Sequence, residues 1–294
     1  MVEDAIILAG GRGTRMLPAS LFSPKEFLPL VDTPGISHLI WVAAKANVKR
    51  IHIVLSEKKF HMFQKMLDSE PGEFDGMRTD LPPEALCIRI PGVEIIPRIQ
   101  RDARGVGDAL SVALGDIRGP FLALLGDMVI LEDHQSPQFA GPRFGSSTSE
   151  KLVSAYKKNG LPCVGLHEVD RSELSQYGVV GVDGGKVVDI IEKPDPGEAP
   201  SNLILTGRYL FPDDTREILE MYPYELHGEL QSIEVLKFLA KNRGLNAVNY
   251  EGISIYDSGS PLSWLKAQVD HAIRRDDTSE DFLRWIETVI QNLK

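Results

Sequence analysis

The feature that most constrains the fold is an apolar strand that runs directly into a glycine-rich loop near the N-terminus. Residues 5–9, Ala-Ile-Ile-Leu-Ala, have the length and continuous apolar character of a buried parallel strand. The loop that follows holds Gly10, Gly11 and Gly13 together with two arginines and a threonine. In α/β proteins such a loop presents backbone N–H groups and positive charge to phosphate groups. The sequence therefore predicts an α/β protein with a phosphate site after this strand.

Two common phosphate-binding patterns do not fit this loop. A dinucleotide-binding fingerprint requires a third glycine at the position that Met16 holds. A P-loop requires a lysine followed by serine or threonine, and here Thr14 and Arg15 stand in that place. What remains is a tight turn on which a large ligand can lie, with Arg12 and Arg15 available to bind phosphate oxygens in a bidentate way.

A proline-rich apolar segment carries a second group of charges. Four prolines between positions 18 and 34 exclude a continuous helix, although the residues between them are largely apolar. We therefore expect an ordered, partly buried loop around Lys25 and Glu26. An isolated lysine–glutamate pair in a loop is usually solvated. Its apolar neighbours and its position ten residues after Arg15 instead favour charges directed into a site.

Composition and charge exclude several classes of protein. The 294 residues, 43% apolar and 25% charged, are typical of a globular chain with one large α/β domain or a domain with an appendage. A net charge of −10 argues against nucleic-acid or membrane-surface binding, since such binding depends on basic patches. The chain shows no membrane-length apolar run, and its acidic start leads directly into a strand, so we expect no signal peptide. Cys87 and Cys163 match no disulfide or zinc pattern, so we expect unreactive thiols and a cytoplasmic protein.

The order of apolar patterns predicts a doubly wound, mainly parallel sheet whose ligand edge lies at the carboxyl ends of the strands. Residues 69–92 and 133–148 are rich in proline, glycine and polar residues and are predicted to be loops, the second one flexible and on the surface. Strands are predicted at 50–55, 93–99, 121–125, 162–169, 177–182, 186–192, 203–211, 245–250 and 253–256. Helices are predicted at 35–48, 57–67, 105–115, 149–159, 215–221, 229–241, 262–275 and 279–293.

The two opening segments together resemble the N-terminal signature of the nucleoside-diphosphate-sugar pyrophosphorylases. Gly-Gly-x-Gly-Thr-Arg-Met-Leu-Pro over 10–18 is followed by Pro-Lys-Glu-x-Leu-Pro-Leu-Val-Asp over 24–32, and the two halves at this spacing are a specific signal. The chain is most similar to the bacterial and archaeal type of glucose-1-phosphate uridylyltransferase. The resemblance extends over residues 4–275. It implies a Rossmann-like, doubly wound, mixed but mainly parallel sheet with C-terminal helices, the nucleotide-diphospho-sugar transferase fold.

Two aspartates at strand ends are candidates for a metal site. Asp127 follows the apolar strand at 121–125, and Asp257 ends the strand pattern at 253–256 in a similar setting. A lone Gly-Asp after a strand is usually a turn or a helix cap, and sequence spacing does not show that the two carboxylates meet. The resemblance implies that both bind one Mg²⁺, which keeps its other ligands from phosphate groups and water.

The resemblance also implies a binding site for a pyrimidine base. In the family, backbone groups at the positions of Leu8, Ala9 and Gly10 contact the base, and a glutamine amide, here that of Gln100, reads it. Glycines at 105 and 107 would let a base or ribose approach the start of a helix closely, although they equally fit a tight helix start without a ligand. Gly105 is kept as the candidate.

The sugar half of the site is implied by a Glu-Lys-Pro motif. By itself this motif is typical of a solvated turn. In the family its glutamate binds sugar hydroxyls and its lysine binds the sugar 1-phosphate, which points to Glu192 and Lys193 here. Gly178 matches a glycine strand that lines the sugar pocket. The segment 228–234 matches its counterpart only loosely, so the preferred sugar stays open.

The sequence thus leads to the hypothesis of a nucleotidyltransferase that makes UDP-glucose and pyrophosphate from UTP and glucose 1-phosphate with Mg²⁺. Because the attacking phosphate oxygen is already an anion, catalysis requires alignment and charge neutralisation. The expected catalytic residues are Arg15, Lys25, Asp127, Lys193 and Asp257. The expected substrate-binding residues are Leu8, Ala9, Gly10, Gly11, Gly13, Thr14, Glu26, Gln100, Gly105, Gly178 and Glu192.

Three alternatives stay open at this point. The same motifs suit a thymidylyltransferase that uses dTTP, and another sugar 1-phosphate is also compatible with them. A catalytically silent regulatory subunit on the same fold is disfavoured, because such a subunit has no need for all five charged catalytic candidates. We expect residues 1–260 to form the catalytic domain and 261–294 a helical extension that packs on it or in the interface of a homo-oligomer.

Overall fold

The computed structural model describes residues 1–70, 78–228 and 231–293. Its strands are β1 (Asp4–Ala9), β2 (Pro29–Leu30), β3 (Thr33–Pro34), β4 (Arg50–Ser56), β5 (Glu94–Gln100), β6 (Phe121–Leu125), β7 (Met128–Leu131), β8 (Cys163–Glu168), β9 (Gly178–Asp183), β10 (Lys186–Glu192), β11 (Leu203–Phe211), β12 (Asn246–Asn249) and β13 (Ser254–Asp257). Its α-helices are α1 (Ala19–Phe22), α2 (Gly35–Lys45), α3 (Glu57–Asp68), α4 (Pro83–Leu86), α5 (Gly105–Leu114), α6 (Thr148–Asn159), α7 (Thr215–Glu220), α8 (Tyr224–His227), α9 (Gln231–Asn242), α10 (Pro261–Arg274) and α11 (Ser279–Asn292).

The main sheet of the described residues has nine strands in the order β5-β4-β1-β6-β11-β8-β12-β10-β9. Strands β5, β4, β1 and β6 run parallel to one another, and β11 runs antiparallel to both β6 and β8. Strand β12 is parallel to β8, and β10 is antiparallel to both β12 and β9. Seven of these nine strands therefore point the same way, which confirms the predicted mixed and mainly parallel sheet.

Alternation along β1 explains why helices cover both faces of this sheet. Ala5 and Ile7 belong to a core formed with α2, α3 and α6, whereas Ile6 and Leu8 belong to a core formed with α5, α7 and α9. A strand buried on both faces has no polar side to alternate with, hence its unbroken apolar sequence. Each fully buried aliphatic side chain of this kind contributes about 1.5–3 kcal/mol to stability.

A separate two-stranded sheet forms beside the carboxyl end of β6. In it β7 pairs with β13 in antiparallel register, so that Met128 lies opposite Asp257. The backbone N–H of Ser258 donates to the carbonyl of Asp127 over 2.9 Å. Two segments that lie far apart in sequence are thereby fixed side by side at the ligand edge of the sheet.

The loop at 133–148 differs from the prediction of a flexible surface segment. Gly145 lies against the backbone of Trp41 so closely that a Cβ there would be only 3.0 Å from the Trp41 carbonyl carbon. Ser146 and Thr148 are buried. Glu132 holds the end of this segment in place, because its carboxylate accepts hydrogen bonds from Ser147 and Lys151. These contacts are long-range, so the polar composition of the loop did not reveal them.

Two other predicted segments lie partly outside the described residues. The loop predicted at 69–92 includes residues 71–77, and the helix predicted at 229–241 includes residues 229 and 230. The described part of the first contains the short helix α4 and buried Ile88 and Ile90. The described part of the second is helical, as predicted.

The two terminal helices differ in how they pack. Trp264 and Ala267 of α10 are buried in a small core with Leu131 and Tyr256, so α10 supports the β7–β13 sheet. Helix α11 packs against α10 and buries none of its own residues. The division of the chain at residue 260 stays a prediction. No helix in the described ranges is both long and apolar enough to cross a membrane.

Candidate active site

A cleft of about 1300 Å³ opens at the carboxyl end of the parallel strands. The glycine-rich loop after β1 and the start of α5 form one part of it, and the β9–β10 hairpin together with β11 forms another. Every candidate residue from the sequence lines this cleft except Ala9. The structure thus gathers segments from most of the chain length around one space.

The glycine-rich loop turns sharply because Gly13 adopts a left-handed backbone conformation with φ +64°. A hydroxyl group holds this turn from the other side, since Ser20 Oγ donates to the Gly13 carbonyl over 2.8 Å. Thr14 and Arg15 follow in a short 3₁₀ turn and extend into the cleft lining. The loop therefore has a defined shape before any ligand binds.

Lys59 of α3 anchors the same loop from beneath, and sequence reasoning missed it. Its ammonium group donates to the carbonyls of Ala9 and Gly11 over 2.8 and 2.7 Å, and it lies 2.7 Å from the Glu26 carboxylate. These contacts explain why Ala9 does not line the cleft: its carbonyl is turned toward Lys59. A lysine near the start of an amphipathic helix gives no local signal of such a role.

Lys25 and Glu26 both line the cleft, as expected, but they have different partners. Glu26 lines the cleft, but its carboxylate is paired with buried Lys59. Burial raises the pKa of Glu26 and lowers the pKa of Lys59, while their 2.7 Å contact opposes both shifts. Lys25 instead forms an ion pair with Asp127, with Nζ 2.7 Å from Oδ2.

The two candidate metal ligands meet in the cleft, as the paired β7 and β13 strands require. Burial raises the pKa of Asp257, and the nearby Asp127 carboxylate raises it further. Asp257 Oδ1 accepts a hydrogen bond from the Gly259 backbone over 2.6 Å. A Cβ placed on Gly259 would lie 3.1 Å from Arg15 Nη2. Arg15 therefore stands beside this carboxylate pair.

This pair of carboxylates is suited to a hard divalent cation. Mg²⁺ usually keeps several waters and binds one or two protein carboxylates plus substrate phosphates. Asp127 and Asp257 supply two such oxygen donors whose mutual repulsion a cation would relieve. The described part of the chain contains no group of three or more histidine, cysteine or carboxylate residues placed to hold a metal. The donor set thus fits Mg²⁺ shared with substrate phosphates better than a closed protein site.

At the other end of the loop, Gln100 lies opposite Gly10. Gln100 ends β5 and is almost fully buried. A Cβ on Gly10 would overlap the Gln100 Oε1 atom, so glycine is needed here for this approach. Gly105 lines the cleft with φ +84°, as expected for the candidate position. Gly107 does not line the cleft. The absence of a Cβ there makes room for the side chain of Gln231, so this glycine allows α5 to pack closely against α9.

The sugar-side candidates lie on the β9–β10 hairpin, where Gly178 pairs directly with Glu192. A Cβ on Gly178 would lie 3.0 Å from Glu192 Oε2, so the glycine leaves space for this carboxylate. Lys193 follows with φ +48°, a left-handed conformation that costs a non-glycine residue about 1–3 kcal/mol and is frequent at functional sites. Its ammonium group is exposed and lies 3.6 Å from Glu192 Oε1.

Arg208 is a second residue whose contribution the sequence did not predict. It is fully buried on β11, and its guanidinium donates to the carbonyls of Leu125 and Met128 over 3.5 and 2.6 Å. These carbonyls flank Gly126 and Asp127, so Arg208 holds the turn that carries the metal-ligand candidate. Burial lowers the pKa of Arg208 to about 10. The sequence feature that could have indicated this role is an arginine within an otherwise apolar strand.

Comparison with known proteins identifies a family and several relatives that match nearly the whole chain. A profile of the family described as nucleotidyl transferase matches residues 4–272. A UTP–glucose-1-phosphate uridylyltransferase from Staphylococcus saprophyticus is 30% identical over 302 aligned positions that cover 99% of each chain. A UTP-bound UGPase from Acinetobacter baumannii is 26% identical with a TM-score of 0.82, covering 97% of this chain and 99% of that one. A UDP-glucose pyrophosphorylase complexed with UDP-glucose is 28% identical with a TM-score of 0.76, covering 92% and 98%.

Proposed function

The chain belongs to the nucleotidyl transferase family, and we propose that it transfers a uridylyl group from UTP to glucose 1-phosphate, releasing pyrophosphate. The observation that carries this proposal is the position of Lys25, Asp127 and Asp257. They lie together in one cleft, between a glycine-rich loop suited to phosphates and a hairpin that offers Glu192 and Lys193. The relatives whose names state this activity align over nearly the whole chain.

The reaction needs no protein nucleophile. An oxygen of the sugar 1-phosphate attacks the α-phosphorus of UTP, the bond from that phosphorus to the bridging oxygen breaks, and pyrophosphate leaves. The enzyme's task is to align the two phosphates and to neutralise charge. Arg15 and Lys25, which line the cleft, would offset charge on the α-phosphate and the leaving group. Lys193, at the exposed end of the hairpin, would hold the attacking phosphate.

A divalent cation is part of the proposal. Asp127 and Asp257 would hold Mg²⁺, which supplies charge neutralisation between the phosphates of the two substrates. The protein residues around these carboxylates keep them in place: Lys25 pairs with Asp127, and the Gly259 backbone holds Asp257. Because Lys25 contacts Asp127 directly, loss of Lys25 would disturb both a phosphate contact and the position of a metal ligand.

The first test is release of pyrophosphate with Mg²⁺ in the presence of UTP, dTTP, CTP, ATP or GTP, each with and without glucose 1-phosphate. We expect release with UTP that depends on the sugar phosphate. Faster release with dTTP would replace uridylyl transfer by thymidylyl transfer. No release with any triphosphate, together with measurable UTP binding, would indicate another sugar phosphate or a silent subunit and would refute the proposal as stated.

We also propose that the chain forms a homo-oligomer in the cytoplasm. Helix α11 is amphipathic but leaves Leu283, Trp285 and Ile290 exposed. Light scattering coupled to size-exclusion chromatography measures the assembly, and the variant Trp285→Glu tests the role of α11. A monomeric wild-type protein would refute this part of the proposal and leave the proposed activity untouched.

A further inference from the structure

The amide group of Gln100 is held in one orientation by two acceptors. Its Nε2 donates to Asp108 Oδ2 over 2.6 Å and to the Gly105 carbonyl over 3.4 Å. An ionised carboxylate and a carbonyl only accept hydrogen bonds, and a glutamine NH₂ has two hydrogens to donate. If the amide were rotated by 180°, its oxygen would face two oxygens without any hydrogen between them. Asp108 and Gly105 therefore fix which end of the amide turns away from the cleft.

The oxygen of the same amide is left available on the cleft side. Oε1 lies against the backbone of Gly10, so closely that a Cβ there would overlap it. Within the described part of the chain, Oε1 accepts no hydrogen bond. Gln100 and Gly10 both line the cleft. The wall of the cleft at this point thus presents an acceptor held in place by a carboxylate behind it.

We infer that Asp108 determines base specificity by locking Gln100 so that an acceptor faces the Watson–Crick edge of the base. This inference rests on the proposed function, since it assigns the base to the Gln100 end of the cleft. Uracil and thymine carry a hydrogen on N3 that Oε1 can accept. Cytosine has a bare N3 acceptor, which would face the oxygen with no hydrogen between them. Asp108 is thus a positioning residue that favours UTP over CTP without touching the nucleotide.

The test compares UTP, dTTP and CTP in wild type and in Asp108→Asn. This substitution keeps the shape of residue 108 but adds an NH₂ group, so the Gln100 amide gains its second orientation and can offer NH₂ to a base. We expect the ratio of kcat/KM for UTP to that for CTP to fall about tenfold, which corresponds to about 1.4 kcal/mol. The fall should come mainly from KM, and the ratio for UTP to dTTP should not change, because uracil and thymine share the same edge.

Two further variants make the result specific. Asp108→Ala removes the carboxylate and leaves only the longer contact to the Gly105 carbonyl, so it should also lower the UTP to CTP ratio. Asp102→Asn makes the same change of charge on an exposed carboxylate near the start of the same helix, and it should leave every ratio as in wild type. A purely structural defect would lower turnover with all three nucleotides together. A UTP to CTP ratio within twofold of wild type in both Asp108 variants would overturn the inference.

Equilibrium binding of UTP and CTP to the wild-type protein separates this inference from the proposed function. If no nucleotide supports pyrophosphate release but UTP binds more tightly than CTP and Asp108→Asn removes the preference, the proposed reaction fails and the inference stands. If the reaction proceeds but wild type uses CTP as well as UTP, the reaction stands and the inference fails. The comparison of CTP with UTP in the wild-type protein needs no variant, so it tests the inference even if substitutions at residue 108 prevent folding.

Discussion

Asp127 is the residue on which the proposed chemistry depends most directly. In Asp127→Ala, the cleft loses a carboxylate that would hold the metal and that pairs with Lys25 at 2.7 Å. We expect kcat to fall about 10²–10³-fold, comparable to removal of one preorganised charge contact. Stability measured by urea unfolding should change little, because the side chain is partly exposed and its attraction to Lys25 is opposed by repulsion from Asp257. Asp183→Ala, an exposed carboxylate on the β9–β10 hairpin, is the control, and near-normal turnover of Asp127→Ala would refute the assignment.

Lys59 leads to a prediction about stability. In Lys59→Met, the buried Glu26 carboxylate loses its partner and the carbonyls of Ala9 and Gly11 lose a donor. Removal of one partner of a buried ion pair costs about 3–5 kcal/mol, which urea unfolding would measure. The exposed neighbour Lys58 provides a matched control in Lys58→Met. Adding Glu26→Gln to Lys59→Met should restore part of the lost stability, and additive losses in the double variant would contradict a direct pair.

The contrast between these two residues shows what sequence can reveal at this scale. Asp127 stands after an apolar strand in a recognisable family motif, so its place at the sheet edge was predictable. Lys59 and Arg208 donate to carbonyl groups of distant segments. Because every residue has a backbone carbonyl, the sequence does not indicate which of them will accept these hydrogen bonds. Likewise, the pairing of Glu26 with Lys59 depends on how α3 packs under the loop. Such contacts follow from tertiary structure alone.

At the scale of elements, the sequence predicted the strands and helices of the sheet because each has a clear apolar period. Strand β11 matches the predicted 203–211 in both bounds. The sequence analysis did not predict β7, and it did not predict that β13 leaves the main sheet to pair with this strand. That pairing is what brings Asp257 to Asp127. The periodicity of a short strand identifies the strand but not its partner, which is why the spacing alone left the metal site open.

The packing of α10 predicts a loss of stability in mild acid. His271 on α10 is buried against His134, with their Nδ1 atoms 3.0 Å apart, and the half-buried His38 lies nearby. Burial lowers the pKa of His271 to about 3 and that of His38 to about 4, and it also lowers the pKa of His134. The neighbouring Arg275 lowers the pKa of His271 further, whereas Asp277 raises it.

The sign of this effect follows from proton binding. Between the folded pKa values and the ordinary histidine value of 6.5, the unfolded chain binds protons that the folded chain does not. Unfolding free energy therefore falls as pH decreases below 6.5, by up to about 1.4 kcal/mol per pH unit for each histidine. Urea unfolding at pH 7.5, 6.5 and 5.5 measures it. His271→Gln should flatten the profile and exposed His61→Gln should not; equal slopes in all three proteins would contradict the prediction.

At the scale of the whole molecule, the cleft lies between two parts of one sheet. The apolar cores on the two faces form from side chains alone. We therefore expect removal of divalent metal with EDTA to abolish pyrophosphate release while leaving the melting temperature of the free protein unchanged. Adding Mg²⁺ and UTP at about 100 times the Kd should then stabilise the fold by about 2.7 kcal/mol through binding linkage. Activity that survives EDTA would exclude a metal role for Asp127 and Asp257, and a lower melting temperature in EDTA alone would mean that the metal is structural.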